Sequence, residues 1–415
     1  MKRIMAGALA ASMLVAAQPA RADTVADWWD YAMKIGGPLN AAAQTPDQMR
    51  AVTRASLAMF EALNAIDRRY ESYLGLPAGD PAASPDAAAA TAAYTVLVQS
   101  FPALKTPIEE SYQITMAEVP EGKAKEAGRL IGDSAGKAAL KAGGLDPAVA
   151  QLPYRPRANP GEWVATGLPS IDASQIAFKP WAIGSVDALM PPPPVALGSA
   201  RWAKDYEEVR RLGGRASKER TAHQGLMARY RQAPDLAPTM LTVANQPGRT
   251  PLRNARMFAR YQMAFDDAAE AMAAAKFRYN FWRPLTAIRN GAADGNDATE
   301  AEAGWLPLLP TPNFPEYPCG HCTIAGATAE IMNAETGPRP PGGVRVGSLA
   351  VPNSIVQTLP SWDEWARQVS DSRMYGGVHY RFSNEAGEAI GRQAARIVLA
   401  TVMRPLPPAE TKRKR

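Results

Sequence analysis

The chain has 415 residues, 46% of them hydrophobic and 21% charged, with a formal net charge of +6 and two cysteines. That length suffices for a large core, or for two packed bundles sharing one, and the cysteine count excludes a disulfide-stapled scaffold. The positive charge sits at the ends: without Lys2, Arg3, Arg21 and the tail Lys412-Arg413-Lys414-Arg415 the body falls near −1, which excludes the basic face that a nucleic-acid binder needs.

Lys2 and Arg3 open a positive start, Ile4 to Ala17 follow uncharged, and Ala20-Arg21-Ala22 supplies a small-x-small cleavage pattern. Residues 1–22 therefore read as a signal peptide, which predicts a periplasmic or secreted protein. The apolar stretch is shorter than the ~20 residues a spanning helix requires, and no later run reaches that length, so no membrane span is expected. Residues 46–73 show apolar residues at intervals of three and four, which predicts a helix; 86–119 and 121–142 read as two more. Residues 143–200 are dense in Pro and Gly and end in Pro191-Pro192-Pro193-Pro194. Trp163 and Trp181 within them need burial, so the segment reads as an ordered crossover.

Helical pattern resumes at 200–212 and 218–231, then at 251–290, 320–333 and 384–403. Strand-like alternation is sparse, and an all-α fold follows. The organisation expected is an N-terminal helical region with the Pro-rich crossover at 23–200, a C-terminal helical catalytic region at 201–405, and a basic tail at 406–415.

Three stretches carry candidate chemistry. Lys276 and Arg283 lie seven apart in Lys-Phe-Arg-Tyr-Asn-Phe-Trp-Arg-Pro, two turns of a helix, which would bring both to one face. Aromatic neighbours make that face partly buried, and a buried cation pair calls for an anion. Tyr317-Pro318-Cys319-Gly320-His321-Cys322 precedes a run of small residues suited to a closely packed helix. Free N–H groups and the positive dipole end would face outward there, Gly320 would allow close approach, and His321 would stand beside the anion as an acid-base. In Asp371-Ser372-Arg373-Met374-Tyr375-Gly376-Gly377-Val378-His379, six positions separate Arg373 from His379, off-face for a helix. A tight loop delivering both side chains to one pocket explains that spacing.

Taken together, the three stretches resemble the signature shared by the vanadium-dependent haloperoxidases and the type 2 phosphatidic acid phosphatases. That signature runs Lys, six residues, Arg-Pro; then Pro-Ser-Gly-His; then Ser-Arg, five residues, His. Lys276, Arg283, Pro284, Pro318, Gly320, His321, Ser372, Arg373 and His379 match it in order. Upstream, Pro160-Gly161-Glu162-Trp163, the crossover and Asp205-Tyr206-Glu207-Glu208-Val209 are similar to the soluble bacterial haloperoxidase-like branch, so the resemblance covers most of the mature chain. It implies paired four-helix bundles and an oxyanion held by Lys276, Arg283, Cys319, Gly320 and Arg373. His379 would be the axial ligand to the vanadium of vanadate, or the nucleophile toward phosphorus, with His321 as acid-base. The implied substrates are hydrogen peroxide and halide, or a phosphate ester. Two positions depart from the pattern: Cys319 stands where the family has serine, and Ser383 where many relatives carry Asp.

Cys319-Gly320-His321-Cys322 is also a disulfide-isomerase motif, but such a site needs a short α/β domain and would leave Lys276, Arg283, Arg373 and His379 unexplained. A non-catalytic oxyanion-binding protein is the other alternative, resting on the two departures. His223 reads as a structural residue.

Overall fold

The computed structural model describes residues 23–37, 44–146, 157–167, 178–351 and 355–407. The expected signal peptide and most of the basic tail lie outside them. Helices dominate, as the periodicity predicts. The first group contains α1 (Thr24–Gly36), the single turn α2 (Pro46–Met49), α3 (Ala51–Ile66), α4 (Pro85–Ser100), α5 (Lys105–Ala117) and α6 (Lys123–Leu140). After the crossover come α7 (Ala200–Gly213), α8 (Ala222–Tyr230), α9 (Ala237–Ala244), α10 (Pro251–Tyr279) and α11 (Pro284–Arg289). The chain closes with α12 (Gly320–Thr336), α13 (Trp362–Tyr375) and α14 (Arg381–Thr401). A small antiparallel sheet, β1 (Pro234–Asp235), β2 (Val344–Ser348) and β3 (Gln357–Leu359), sits at the edge in that order.

α1, α3, α4 and α6 pack as one four-helix group and α10, α12, α13 and α14 as a second. α10 lies against α3 on one side and against α12 and α14 on the other, so a single apolar core runs through both. Close approach is achieved with glycine. On α14, a Cβ at Gly387 would lie 2.3 Å from the Cys319 carbonyl oxygen and one at Gly391 only 1.8 Å from that of Thr323. The missing side chains let α14 press backbone to backbone on the first turns of α12, where the candidate site lies. Gly128, Gly132 and Gly136 do the same for α6 on α4.

Three helices break where the periodicity ran on. The expected 46–73 helix stops at Ile66, because the Asn64 side chain accepts the N–H groups of Arg69 and Tyr70 and turns the chain. The expected 86–119 helix breaks at Pro102, which lacks an N–H and disfavours a helical residue before it, and the two halves bend by 118°. Among the described residues no single helix is long and apolar enough to cross a membrane. The third break, at Asn280, matters most and is described below.

The described parts of the crossover are ordered and anchored. Trp163 and Trp181 are buried. Asp267 on α10 accepts the backbone N–H groups of Trp181, Ala182 and Ile183 at 2.6, 2.7 and 3.1 Å. The polyproline run is held by the Tyr279 and Tyr317 hydroxyls, which donate to the Pro191 and Pro192 carbonyls.

Candidate active site

Lys276 and Arg283 do not share a helix face. α10 ends at Tyr279, and Asn280 adopts the left-handed conformation (φ 46°, ψ 42°), its N–H closing on the Lys276 carbonyl. Pro284 then favours an extended Arg283, which becomes the N-cap of α11. The turn between them pairs with the crossover: the Trp163 N–H donates to the Asn280 carbonyl and the Trp282 N–H to that of Gly161. The two cations converge from different elements onto residues 314–318. Lys276 Nζ donates to the carbonyls of Pro315 and Glu316 at 3.1 and 2.8 Å, and to that of Pro318. Arg283 Nε donates to Phe314 O at 2.9 Å and Nη2 to Pro315 O at 3.3 Å. The Phe314 ring packs against both charges.

Arg373 lies in the last turn of α13 rather than in a loop, and Gly377, with φ +75°, turns the chain behind it. A Cβ at Gly377 would lie 2.4 Å from the Gly213 carbonyl oxygen, so this turn tolerates only glycine. The following residues carry His379 in, just ahead of α14. His379 Nε2 accepts from Arg283 Nη1 at 3.1 Å, and Nδ1 donates to Glu316 Oε1 at 2.6 Å. That pair of bonds fixes one tautomer, with the proton on Nδ1 and a lone pair on Nε2.

Gly320 and His321 form the first turn of α12, and among the described residues no acceptor takes their backbone N–H groups. The partly exposed His321 ring donates from Nε2 to the Gln232 carbonyl at 2.9 Å. Gln232 is held there by β1, which follows it, and by Tyr230, whose hydroxyl donates to Val346 O on β2. Cys319 is not the soft donor expected at the family's serine position. It forms a disulfide with Cys322, so it has no S–H, and its Sγ accepts the Cys322 N–H at 3.2 Å.

Lys276, Arg283, Arg373, Glu316 and His379 are all at most 3% exposed. Three buried cations face one carboxylate, and the imbalance shows in every group. Burial, then Arg283, holds Lys276 well below its ordinary pKa. Burial pushes Arg283 down to about 10, and burial, then Arg283, pushes Arg373 to about 9. Burial and then the same cations keep His379 neutral, and His321 is lowered by desolvation and then by Arg373. Burial raises Glu316 to about 7 against the pull of Arg283 and Lys276. One group lacks protein partners altogether at two atoms: Arg373 Nε and Nη1 are buried and unpaired among the described residues. A buried, unsatisfied guanidinium costs several kcal/mol, and an oxyanion would satisfy it.

Comparison with known proteins agrees with this architecture. Residues 256–407, which contain Lys276, Arg283, Glu316, Cys319, Gly320, His321, Arg373 and His379, match the VCPO second helical-bundle domain. That stretch is a helical bundle of the vanadium haloperoxidase type. It is 34% identical over 86 residues to vanadium chloroperoxidase of Curvularia inaequalis, a match spanning 19% of this chain and 14% of that protein. The fold as a whole superposes on the first bacterial vanadium-dependent iodoperoxidase, with a TM-score of 0.72 at 22% identity over 94% of this chain and 97% of that one. The holo form of a bacterial vanadium-dependent chloroperoxidase gives 0.67 at 17% identity, covering 88% of this chain and 94% of that one.

Within that superfamily setting, Glu316 is the residue that sequence reasoning missed. Ser383 occupies the position where many relatives carry Asp, and its buried hydroxyl lies beside the Glu316 carboxylate, where it favours the ionised form. The carboxylate on His379 comes instead from the residue just before Tyr317. A signal was available: Glu316 is the one charged residue in Phe314-Pro315-Glu316-Tyr317-Pro318, and a lone carboxylate in an apolar stretch flanked by cationic motifs is a candidate buried partner.

The charge balance predicts a pH dependence. As pH rises, Glu316 ionises through about 7, and the site becomes less positive. The guanidiniums stay charged through neutral pH. Affinity for sulfate, a dianion throughout this range, is therefore expected to fall by about tenfold or more between pH 6 and pH 9, because binding is linked to proton uptake. Calorimetric titration checks this, and an affinity that is flat or rises with pH contradicts the assignment.

Proposed function

We propose that this chain is an exported, vanadate-dependent enzyme of the haloperoxidase type that oxidises halide with hydrogen peroxide. The observation that carries the reading is the unpaired, buried Arg373 guanidinium beside a neutral imidazole whose Nε2 bears a lone pair. Among the described residues no three His, Cys, Asp or Glu converge as a cage for a bare cation, so the donors suit a metal held as its oxyanion. Arg373 and the N–H groups of Gly320 and His321 would grip the oxyanion, Arg283 and Lys276 would add charge behind it, and His379 Nε2 would ligate the metal. Vanadate, when bound, supplies activation of hydrogen peroxide for attack by halide. Glu316 keeps the His379 proton on Nδ1, so that Nε2 holds a lone pair, which a metal would take over from Arg283 Nη1. His321, held neutral by burial and then by Arg373 with its pKa lowered to about 3, keeps its Nδ1 lone pair, and an oxyanion that offsets Arg373 would let Nδ1 take up a proton. An oxidising compartment fits the disulfide, and a signal peptide at 1–22 would deliver the chain there.

The Glu316–His379 pair also favours a second reading, an acid phosphatase. A carboxylate-backed neutral imidazole is suited to attack on phosphorus, with His321 protonating the leaving oxygen. A paired assay separates the two. With vanadate, peroxide and bromide, bromination of an organic acceptor is expected, and its loss by about a thousandfold or more in His379→Ala, since the metal would lose its protein ligand. Hydrolysis of a phosphate ester that vanadate merely inhibits, with no bromination, replaces the first reading with the second. Oxyanion binding without turnover in either assay leaves a non-catalytic binding protein.

A further inference from the structure

The disulfide lies where the site can least ignore it. Cys319 is the N-cap of α12, one residue after the carbonyl that Lys276 grips and one before the free N–H of Gly320. Both sulfurs are fully buried, and the loop they close contains His321. As a disulfide, the pair is uncharged. Reduced, Cys319 would place a thiol at the N-terminus of α12, one residue from the carbonyl that Lys276 holds, where the helix end and that ammonium favour the thiolate. Its thiolate would be an anion of the site's own, competing for the charge that an external oxyanion needs.

We propose that Cys319–Cys322 is a redox modification site that gates oxyanion binding: the disulfide opens the anion site and the dithiol closes it. This rests on the oxyanion reading above. Hydrogen peroxide can set the open state. The Cys319 thiolate attacks one peroxide oxygen, the O–O bond breaks, and with one proton this yields a sulfenic acid and water. The Cys322 thiol then displaces hydroxide from that sulfur, forming the S–S bond and, with the proton it releases, a second water. The net change is two thiols and one peroxide to one disulfide and two waters. A small dithiol reverses it by exchange. In this arrangement the oxidant proposed as co-substrate also activates the site and spares Cys319 from further oxidation.

Tungstate binding, followed by calorimetry without peroxide or halide, tests the gate apart from turnover. C322S leaves Cys319 as a permanent free thiol, and C319A/C322A removes both sulfurs. C322S is expected to bind tungstate about tenfold or more weakly than the double variant, from one added negative charge near the site. Wild-type protein treated with dithiothreitol should weaken similarly, with two thiols titrated, and one equivalent of hydrogen peroxide should restore both values. Equal affinities for C322S and C319A/C322A overturn the proposal: if both fall below oxidised wild type, the disulfide is only a staple, and if neither does, it is inert. Failure of oxidised wild type to bind tungstate at all overturns the oxyanion reading instead.

Discussion

Replacing Arg373 with methionine is expected to weaken oxyanion binding by about a hundredfold or more while raising the thermal stability of the ligand-free protein. The two effects have one cause. Among the described residues Nε and Nη1 of Arg373 are buried without acceptors, and the guanidinium repels Arg283 across a desolvated site. Methionine fills much of the same volume without charge, so the ligand-free fold is relieved of an uncompensated cation. A bound oxyanion, in contrast, loses two charge-assisted hydrogen bonds at about 1.5–3 kcal/mol each, and every 1.4 kcal/mol is tenfold in affinity. Thermal melts with and without phosphate, paired with calorimetry, measure both signs. If Arg373→Met lowers the melting temperature of the ligand-free protein and leaves phosphate affinity unchanged, Arg373 is a packing residue and the site loses its main donor.

The identities of the converging residues were legible because cations and histidines at fixed spacings carry their chemistry with them. Their geometry was less so. The spacing of seven between Lys276 and Arg283 matches two helical turns, yet Pro284 and the left-handed Asn280 place them on separate elements that meet through the 314–318 carbonyls. A local period reports a helix only while the backbone stays helical, and one residue at positive φ ends it. The donor roles were also hidden. Lys276 spends its protons on three carbonyls, so in this state its contribution to an anion is charge rather than a hydrogen bond. Arg373 holds the free donors, and this depends on what the neighbouring carbonyls leave unclaimed, which no spacing encodes. The all-α class and the tryptophan-anchored crossover were readable, because apolar periodicity and the need to bury large aromatics are properties of local sequence. The close seating of α14 on α12 was present in the sequence as Gly387 and Gly391 four apart, although only the partner backbone shows why a side chain is excluded there.

Glu316→Gln should separate ligation of a metal from simple anion binding, because the two respond with opposite signs. Glu316 Oε1 accepts both the Nδ1 proton of His379 at 2.6 Å and the Tyr380 N–H at 3.2 Å. A glutamine keeps the shape but removes the charge and offers an N–H₂ donor. Arg283 Nη1, which can only donate, still holds the lone pair on Nε2, so the amide oxygen turns to Nδ1 and the imidazole loses the carboxylate that raises its basicity. Vanadate affinity should therefore drop by about 10–100-fold, the usual cost of removing the hydrogen-bond partner of a metal-binding histidine. Sulfate needs no bond to Nε2. Removing one buried negative charge beside Lys276 and Arg283 should leave sulfate affinity unchanged or raise it. Nitrogen-15 chemical shifts of the His379 ring report the tautomer directly. Equal losses for vanadate and sulfate would show that Glu316 supports the loop before α12 rather than the histidine, and the ligand role of His379 would then lack its physical basis.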